Sequence, residues 1–254
     1  MTDNSTIILK NVTITYPNGV EGIKNISFAL PKNTVTSIIG ASGSGKTTLL
    51  RSFNLLHELY PNIKKEGEIN WNGKNQLEMN ILDLRKKVGM IFQDPISFPH
   101  VNIFDNVIFG YALNGIKLTK QQKQEVVEKN LVEVGLWDEV CDMLNKKPTI
   151  LTRNQQQRLG IARTLAMNPE IILMDNPVNL MDNQGVVVIE DLIHRLKLNH
   201  TILLIPKNIN EAARVSDYMV YLEKGELIEF RPTNDMLVNP KDPRTELFII
   251  RNNQ

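Results

Sequence analysis

Gly40-Ala41-Ser42-Gly43-Ser44-Gly45-Lys46-Thr47 meets every defined position of the phosphate-loop pattern G-x-x-x-x-G-K-[ST]. The context is also right: residues 34–39 form a short apolar, β-branched run that reads as a strand, and residues 47–54 read as a helix. Glycines let successive backbone N–H groups turn inward around phosphate oxygens, while the N-terminus of the following helix adds partial positive charge. Lys46 is placed to reach β- and γ-phosphates, and Thr47 to help hold Mg²⁺. The full pattern in this placement favours binding of ATP or GTP over a ligand-free Gly/Ser-rich turn.

Downstream, strand signals at 171–174, 201–205 and 219–222 alternate with helical stretches at 155–166, 185–196 and 210–215, which predicts a mostly parallel sheet. Asp175 closes the first of these runs. Its carboxylate should emerge at the strand's C-terminal end, where nucleotide sites of parallel sheets lie, as a natural partner for Mg²⁺. Upstream, 7–16 and 23–30 read as strands separated by a Pro-Asn-Gly turn at 17–19, suggesting an antiparallel β edge. Further strands are expected at 67–71 and 88–92, then a Pro-containing loop at 93–99 and mostly helical sequence over 103–136. The expected fold is an α/β phosphate-loop core with an antiparallel β subdomain and a helical subdomain inserted at about 97–154. One nucleotide-binding domain is expected to span 1–254. The polar tail 251–254 is expected to fray.

Bulk composition narrows the partners. With 29 Lys+Arg against 28 Asp+Glu, the net charge of +1 gives no global field for nucleic acid or anionic lipid. The single cysteine, Cys141, excludes an internal disulfide framework and reads as structural. The opening MTDNSTIILK lacks a basic-then-apolar signal, and no apolar run approaches the length of a spanning helix. A soluble chain in the cytoplasm is expected. It would serve a membrane process only by docking on membrane-embedded partners.

Several features combine beyond a generic phosphate-loop protein: Gln93 follows a strand, Leu151-Thr152-Arg153-Asn154-Gln155-Gln156-Gln157-Arg158-Leu159 precedes a helix, and Asp182 follows the Asp175 strand. This arrangement resembles the ABC transporter ATPases over nearly the whole chain. The resemblance implies ATP and Mg²⁺ as ligands, with Thr48 extending the cradle and Tyr16 stacking on adenine. It makes Gln93 the Q-loop glutamine that joins Thr47 and Asp175 near the metal, and Asp182 the D-loop aspartate. Thr152, Arg153, Asn154 and Gln155 would belong to the signature motif. Finer stretches, among them Arg51-Ser52-Phe53-Asn54, Val88-Gly89-Met90-Ile91-Phe92-Gln93 and Ala212-Ala213-Arg214-Val215-Ser216-Asp217, are similar to the phosphate-importing branch. The implied partners are integral membrane permease subunits and a second ABC ATPase subunit, at the cytoplasmic face of the cell membrane.

Three departures from the family pattern bear on chemistry. Where the family carries its catalytic glutamate stands Asn176, whose neutral amide cannot take a proton from water. A positioned general base contributes on the order of 10² to 10⁴ in rate, so severe slowing without loss of ATP affinity is expected. The switch-histidine position holds Lys207, after Pro206; an ammonium only donates, whereas imidazole does both. Lys207 can attract the γ-phosphate as a point charge, so tighter ground-state binding or no effect is expected rather than catalysis. The signature's serine and two glycines are Thr152, Arg153 and Asn154, with Asn154 expected to cap the helix. In the family each site takes base and switch from one chain and signature from the other. A homodimer would therefore carry all three defects twice, and a pairing with an intact partner would leave neither site standard.

Two functional classes follow: an importer subunit with weak or absent hydrolysis, or a degenerate binding or regulatory subunit pairing with an intact ATPase. Laboratory inactivation would produce the same base and switch replacements. A small-molecule kinase or GTPase would need an acceptor pocket or a guanine-reading motif, and neither is evident. A chromosome or DNA-repair ATPase would need a long heptad insertion, which is missing.

Overall fold

A computed structural model describes residues 5–179 and 181–252. The elements run β1 (Ser5–Thr15), β2 (Glu21–Pro31), β3 (Val35–Ile39), α1 (Lys46–Ser52), β4 (Lys64–Trp71), β5 (Lys74–Asn75), α2 (Ile81–Lys87) and β6 (Val88–Ile91). A helical region follows: α3 (Ile103–Leu113), α4 (Lys120–Glu133), α5 (Trp137–Val140) and α6 (Arg153–Ala166). The chain then alternates β7 (Ile171–Asp175), α7 (Asn183–Leu196), β8 (Thr201–Ile205) and α8 (Ile209–Val215). It finishes with β9 (Tyr218–Glu223), β10 (Glu226–Pro232), α9 (Thr233–Val238) and α10 (Pro243–Asn252).

Two sheets form. The smaller is antiparallel with order β2-β1-β4-β5, and the larger has order β10-β9-β3-β8-β7-β6. In the larger sheet only β10 pairs antiparallel, with β9; β9, β3, β8, β7 and β6 run parallel. Every residue of β3, β7 and β8 is buried. Their apolar runs show no alternation because both faces of a parallel sheet are covered. Ile171, Leu173 and Leu203 point toward the antiparallel sheet and α1, whereas Ile172, Met174 and Leu204 point toward the helical region. Leu49 and Leu50 of α1, with Phe53 at its C-cap, share a cluster with Ile7, Leu9, Ile23 and Leu30 of the small sheet, so the helix behind the phosphate loop is clamped between two sheets.

The helical stretch expected over 103–136 is two helices. It breaks at Gly115, whose φ of 67° leaves the helical region, and restarts at Thr119, which forms a reciprocal capping box with Gln122. The C-terminal part is more ordered than its polarity suggests. Glu229 on β10 accepts the N–H groups of Lys241 (3.0 Å) and Asp242 (3.3 Å) at the entry to α10. Phe248 then stacks on Tyr221 with centroids 4.9 Å apart. The expected fraying at 251–254 is thus corrected for Arg251 and Asn252, which complete α10; Asn253 and Gln254 lie outside the described residues. Among the described residues no helix is long and apolar enough to cross a membrane.

Candidate functional site

Four adjacent parallel strands deliver the expected site residues to one sheet edge: β3 leads to Gly40, β8 leads to Lys207, β7 ends in Asp175, and β6 leads to Gln93. The loop after β3 needs its glycines for different reasons. Gly40 (φ 148°) and Gly45 (φ 101°) adopt backbone that L side chains avoid, and a Cβ there would lie 2.3 Å from the Leu222 carbonyl oxygen and 2.2 Å from that of Gly22. At Gly43 there is open space and only the φ of 77° demands glycine.

The cradle is rich in donors. Among the described residues the N–H groups of Gly45, Lys46 and Thr47 meet no backbone carbonyl, and the Ser44 hydroxyl is buried without a partner. The Lys46 ammonium folds over the loop, donating to the carbonyls of Gly40 (2.7 Å) and Ala41 (2.8 Å). Unpartnered N–H groups, a buried hydroxyl and a lysine suit a polyphosphate. Asp175 is buried beside them. Burial raises its carboxyl above the usual range, and the charges of Arg51 and Lys46 pull it back. Burial likewise lowers Lys46, opposed by Asp175. Among the described residues no cluster of three His, Cys, Asp or Glu side chains could hold a metal by itself. The Thr47 hydroxyl, the Asp175 carboxylate and the exposed Gln93 amide are hard oxygen donors of the kind Mg²⁺ takes alongside phosphate oxygens. The residues present therefore fit Mg²⁺ bound together with a polyphosphate.

Tyr16 lies alongside the start of α1: its hydroxyl is 2.9 Å from Thr48 Oγ1, and its ring meets Tyr60 edge-on at 5.6 Å. Asn176 has φ 46°, a conformation asparagine tolerates better than most residues. Its N–H donates to the Ile205 carbonyl (2.8 Å), which carries the loop across to β8, and its Oδ1 is buried without a partner. Lys207 is exposed, but its turn is fixed by an N–H bond to Glu211 Oε2 at 2.6 Å. Asp182 caps α7, accepting the Gly185 N–H at 2.8 Å.

At the start of α6 the expected cap is corrected. Thr152, with extended backbone, is the N-cap; its hydroxyl accepts from the Gln155 N–H (3.3 Å) while Gln155 Oε1 accepts the Thr152 N–H (2.9 Å). Asn154 lies inside the helix, where its Oδ1 accepts from Arg158 Nε at 2.8 Å. Its amide sits against Gly185, where a Cβ would come within 2.2 Å. Arg153 is exposed and joins the site by lining a gap of about 10 Å³ with Gln93, Gln157, Pro177 and Met181.

Two supports were not anticipated from the sequence. Gln157 donates to the carbonyls of Phe92 (2.9 Å) and Pro177 (3.2 Å), tying the loop that carries Gln93 to the one that carries Asn176. Its place on the apolar stripe of α6, four residues before Ile161, was the available signal, because a buried amide must find partners. Arg158 pairs with Glu139 through two bonds of 2.8 and 3.0 Å, which fastens α5 to α6.

Residues 23–179 match the family described as ABC transporter. The chain belongs to the ABC transporter family. Its relatives in that family include the phosphate import ATP-binding protein PstB of Thermotoga maritima, 41% identical over 245 residues that cover 96% of each chain. Phosphate import ATP-binding protein PstB 1 of Bacillus licheniformis is 44% identical over 229 residues, covering 89% of this ABC transporter chain and 88% of the relative. Among solved structures, the ATP-binding cassette MJ0796, a dimer bound to ADP and Pi, superposes with TM-score 0.76 at 29% identity, covering 89% of this chain and 98% of that one. The fold also matches cbiO1 from Clostridium perfringens, part of the ABC transporter complex cbiONQ, at TM-score 0.80 and 24% identity over 98% and 97% of the two chains.

Proposed function

We propose that this chain is the ATP-binding subunit of a phosphate importer, that it grips Mg·ATP, and that it hydrolyses it slowly or not at all. Identity of 41–44% to phosphate import ATP-binding proteins supports the first part. The donor-lined loop, Lys46, Thr47, Thr48 and Asp175 support the second, with Tyr16 as the adenine contact and Gln93 completing the oxygen set. Bound Mg²⁺ would offset charge on the β- and γ-phosphates. One nucleotide-binding domain spans 1–254 in this reading, with the helical subdomain at about 97–154. It acts with a second ATPase subunit, at the cytoplasmic face of the membrane. It docks on permease subunits through a groove of about 250 Å³ lined by Arg85, Met90, Phe98, Phe109 and Arg163, beside the Gln93 loop.

The observation that carries the third part is Asn176. The position next to Asp175 holds an amide whose Nδ2 lies 3.4 Å from Asn179 Oδ1, so no acid stands there to accept a proton from water. Asp182 is committed as the α7 cap. The test is phosphate release by the purified chain. Mg·ATP binding with release near background is expected; turnover at a transport-ATPase rate that Lys46→Ala abolishes would refute slow chemistry.

A second reading, a degenerate subunit paired with an intact ATPase, draws on Thr152, Arg153 and Asn154 standing together with Asn176 and Lys207 in one chain. Mixing with an intact homologous ATPase separates the two. A stable heterodimer whose turnover exceeds that of the intact subunit alone supports pairing, and failure to associate removes it.

A further inference from the structure

Glu211, in the first turn of α8, is only 2% exposed, yet among the described residues no cation pairs with it directly. Arg214, one turn along the same helix, is already engaged with Glu190 through bonds of 2.6 to 3.1 Å. The Glu211 N–H donates to Asn208 Oδ1 at 2.9 Å, and one carboxylate oxygen, Oε1, is buried without a partner. The other oxygen makes one contact, the 2.6 Å bond from the Lys207 N–H. Burying a carboxylate is costly, and here its hydrogen-bonding capacity is directed at the peptide of a single residue.

That residue faces a defined space. Lys207, Pro206 and Asn208 form one wall of a cavity of about 140 Å³ whose other walls include Gly40 and Lys46 of the phosphate loop and Phe248 of α10. Among the described residues two lysines and no carboxylate line it. An opening at the mouth of the phosphate loop with that charge suits the most negative end of a polyphosphate.

We propose that Glu211 is a positioning residue that fixes the Lys207 turn, so that the Lys207 ammonium joins Lys46 on the terminal phosphate of a nucleoside triphosphate. This rests on the reading of the chain as ATP-binding. A diphosphate lacks the group that Lys207 would meet, so the pair sets preference for triphosphate over diphosphate.

The experiment is calorimetry of the full chain with a non-hydrolysable ATP analogue and with ADP, each with Mg²⁺, with melting temperatures recorded for every variant. Lys207→Ala should weaken the analogue about tenfold and leave ADP unchanged, the size expected for loss of one charge-assisted contact. Glu211→Ala should reproduce that selective loss, as should Glu211→Asp, which keeps the charge but withdraws the acceptor, so the test survives if the alanine variant does not fold. Glu211→Gln should restore the wild-type ratio, since its amide oxygen can accept the same N–H. Adding Glu211→Ala to Lys207→Ala should not lower the ratio further. An unchanged ratio in Lys207→Ala, equal weakening of both nucleotides in the Glu211 variants, no restoration by glutamine, or an additive double variant would each overturn the proposal. Binding of neither nucleotide by the wild type would instead sink the ATP-binding reading.

Discussion

Asn176 combines two properties that oppose each other on substitution. Its backbone at φ 46° suits asparagine, so Asn176→Glu should cost about 1 kcal/mol of stability for a side chain less at ease there. The same change supplies the missing carboxylate beside Asp175. We predict that Asn176→Glu raises single-turnover phosphate release by on the order of 10² or more at unchanged ATP affinity, measured by rapid quench. No rise would mean that Lys207 or the altered signature limits the chemistry first. The phosphate loop was legible because its requirements are local: glycines at strained φ, a lysine, a hydroxyl. Gln157 and Glu211 were not, since their partners at Phe92, Pro177 and Lys207 are set by how strands and helices meet.

Helix α6 connects the altered signature with the loops around Asp175. Its start depends on the reciprocal bonds between Thr152 and Gln155, so Thr152→Ala should cost about 1 kcal/mol in urea unfolding, and Thr152→Ser should cost little. Equal effects of the two would show that the hydroxyl does not cap. Arg158, 8% exposed, relies on Glu139 for its counter-charge. Because Glu139 is partly exposed, Glu139→Ala should cost about 2 kcal/mol rather than the larger loss of a fully buried pair, and it should speed hydrogen exchange across α5. Exchange rates unchanged in α5 would remove Arg158 as the fastener. The α6 pattern was readable from its apolar period, but the cap was not assigned to the right residue. Thr152 and Asn154 both qualify by type, and only the observed backbone, extended at Thr152 and helical at Asn154, distinguishes them.

His57 reports on how the antiparallel sheet seats against α1. It is 1% exposed, its Nδ1 lies 3.3 Å from the Arg51 carbonyl oxygen, and its Nε2 is buried without a partner. Burial first, and the charge of Lys65 second, lower its pKa from 6.5 to about 4. The folded state therefore holds neutral histidine where the unfolded chain already binds a proton. Its contribution is full above about pH 6.5 and is lost as pH falls toward 4, amounting to on the order of 3 kcal/mol. Denaturant titrations at pH 7.5, 6, 5 and 4.5 should show this decline, and His57→Gln should flatten it; a variant curve parallel to wild type would place the titration elsewhere.

Residue order alone was enough for the phosphate loop, the strand ending in Asp175, the parallel core and the ABC resemblance, because short-range periodicity and backbone sterics act within a few residues. It did not disclose the anchoring of α10 through Glu229 or the seating of His57. Those arise where segments distant along the chain are brought to the same edge of a sheet, and burial there determines which polar groups must find partners.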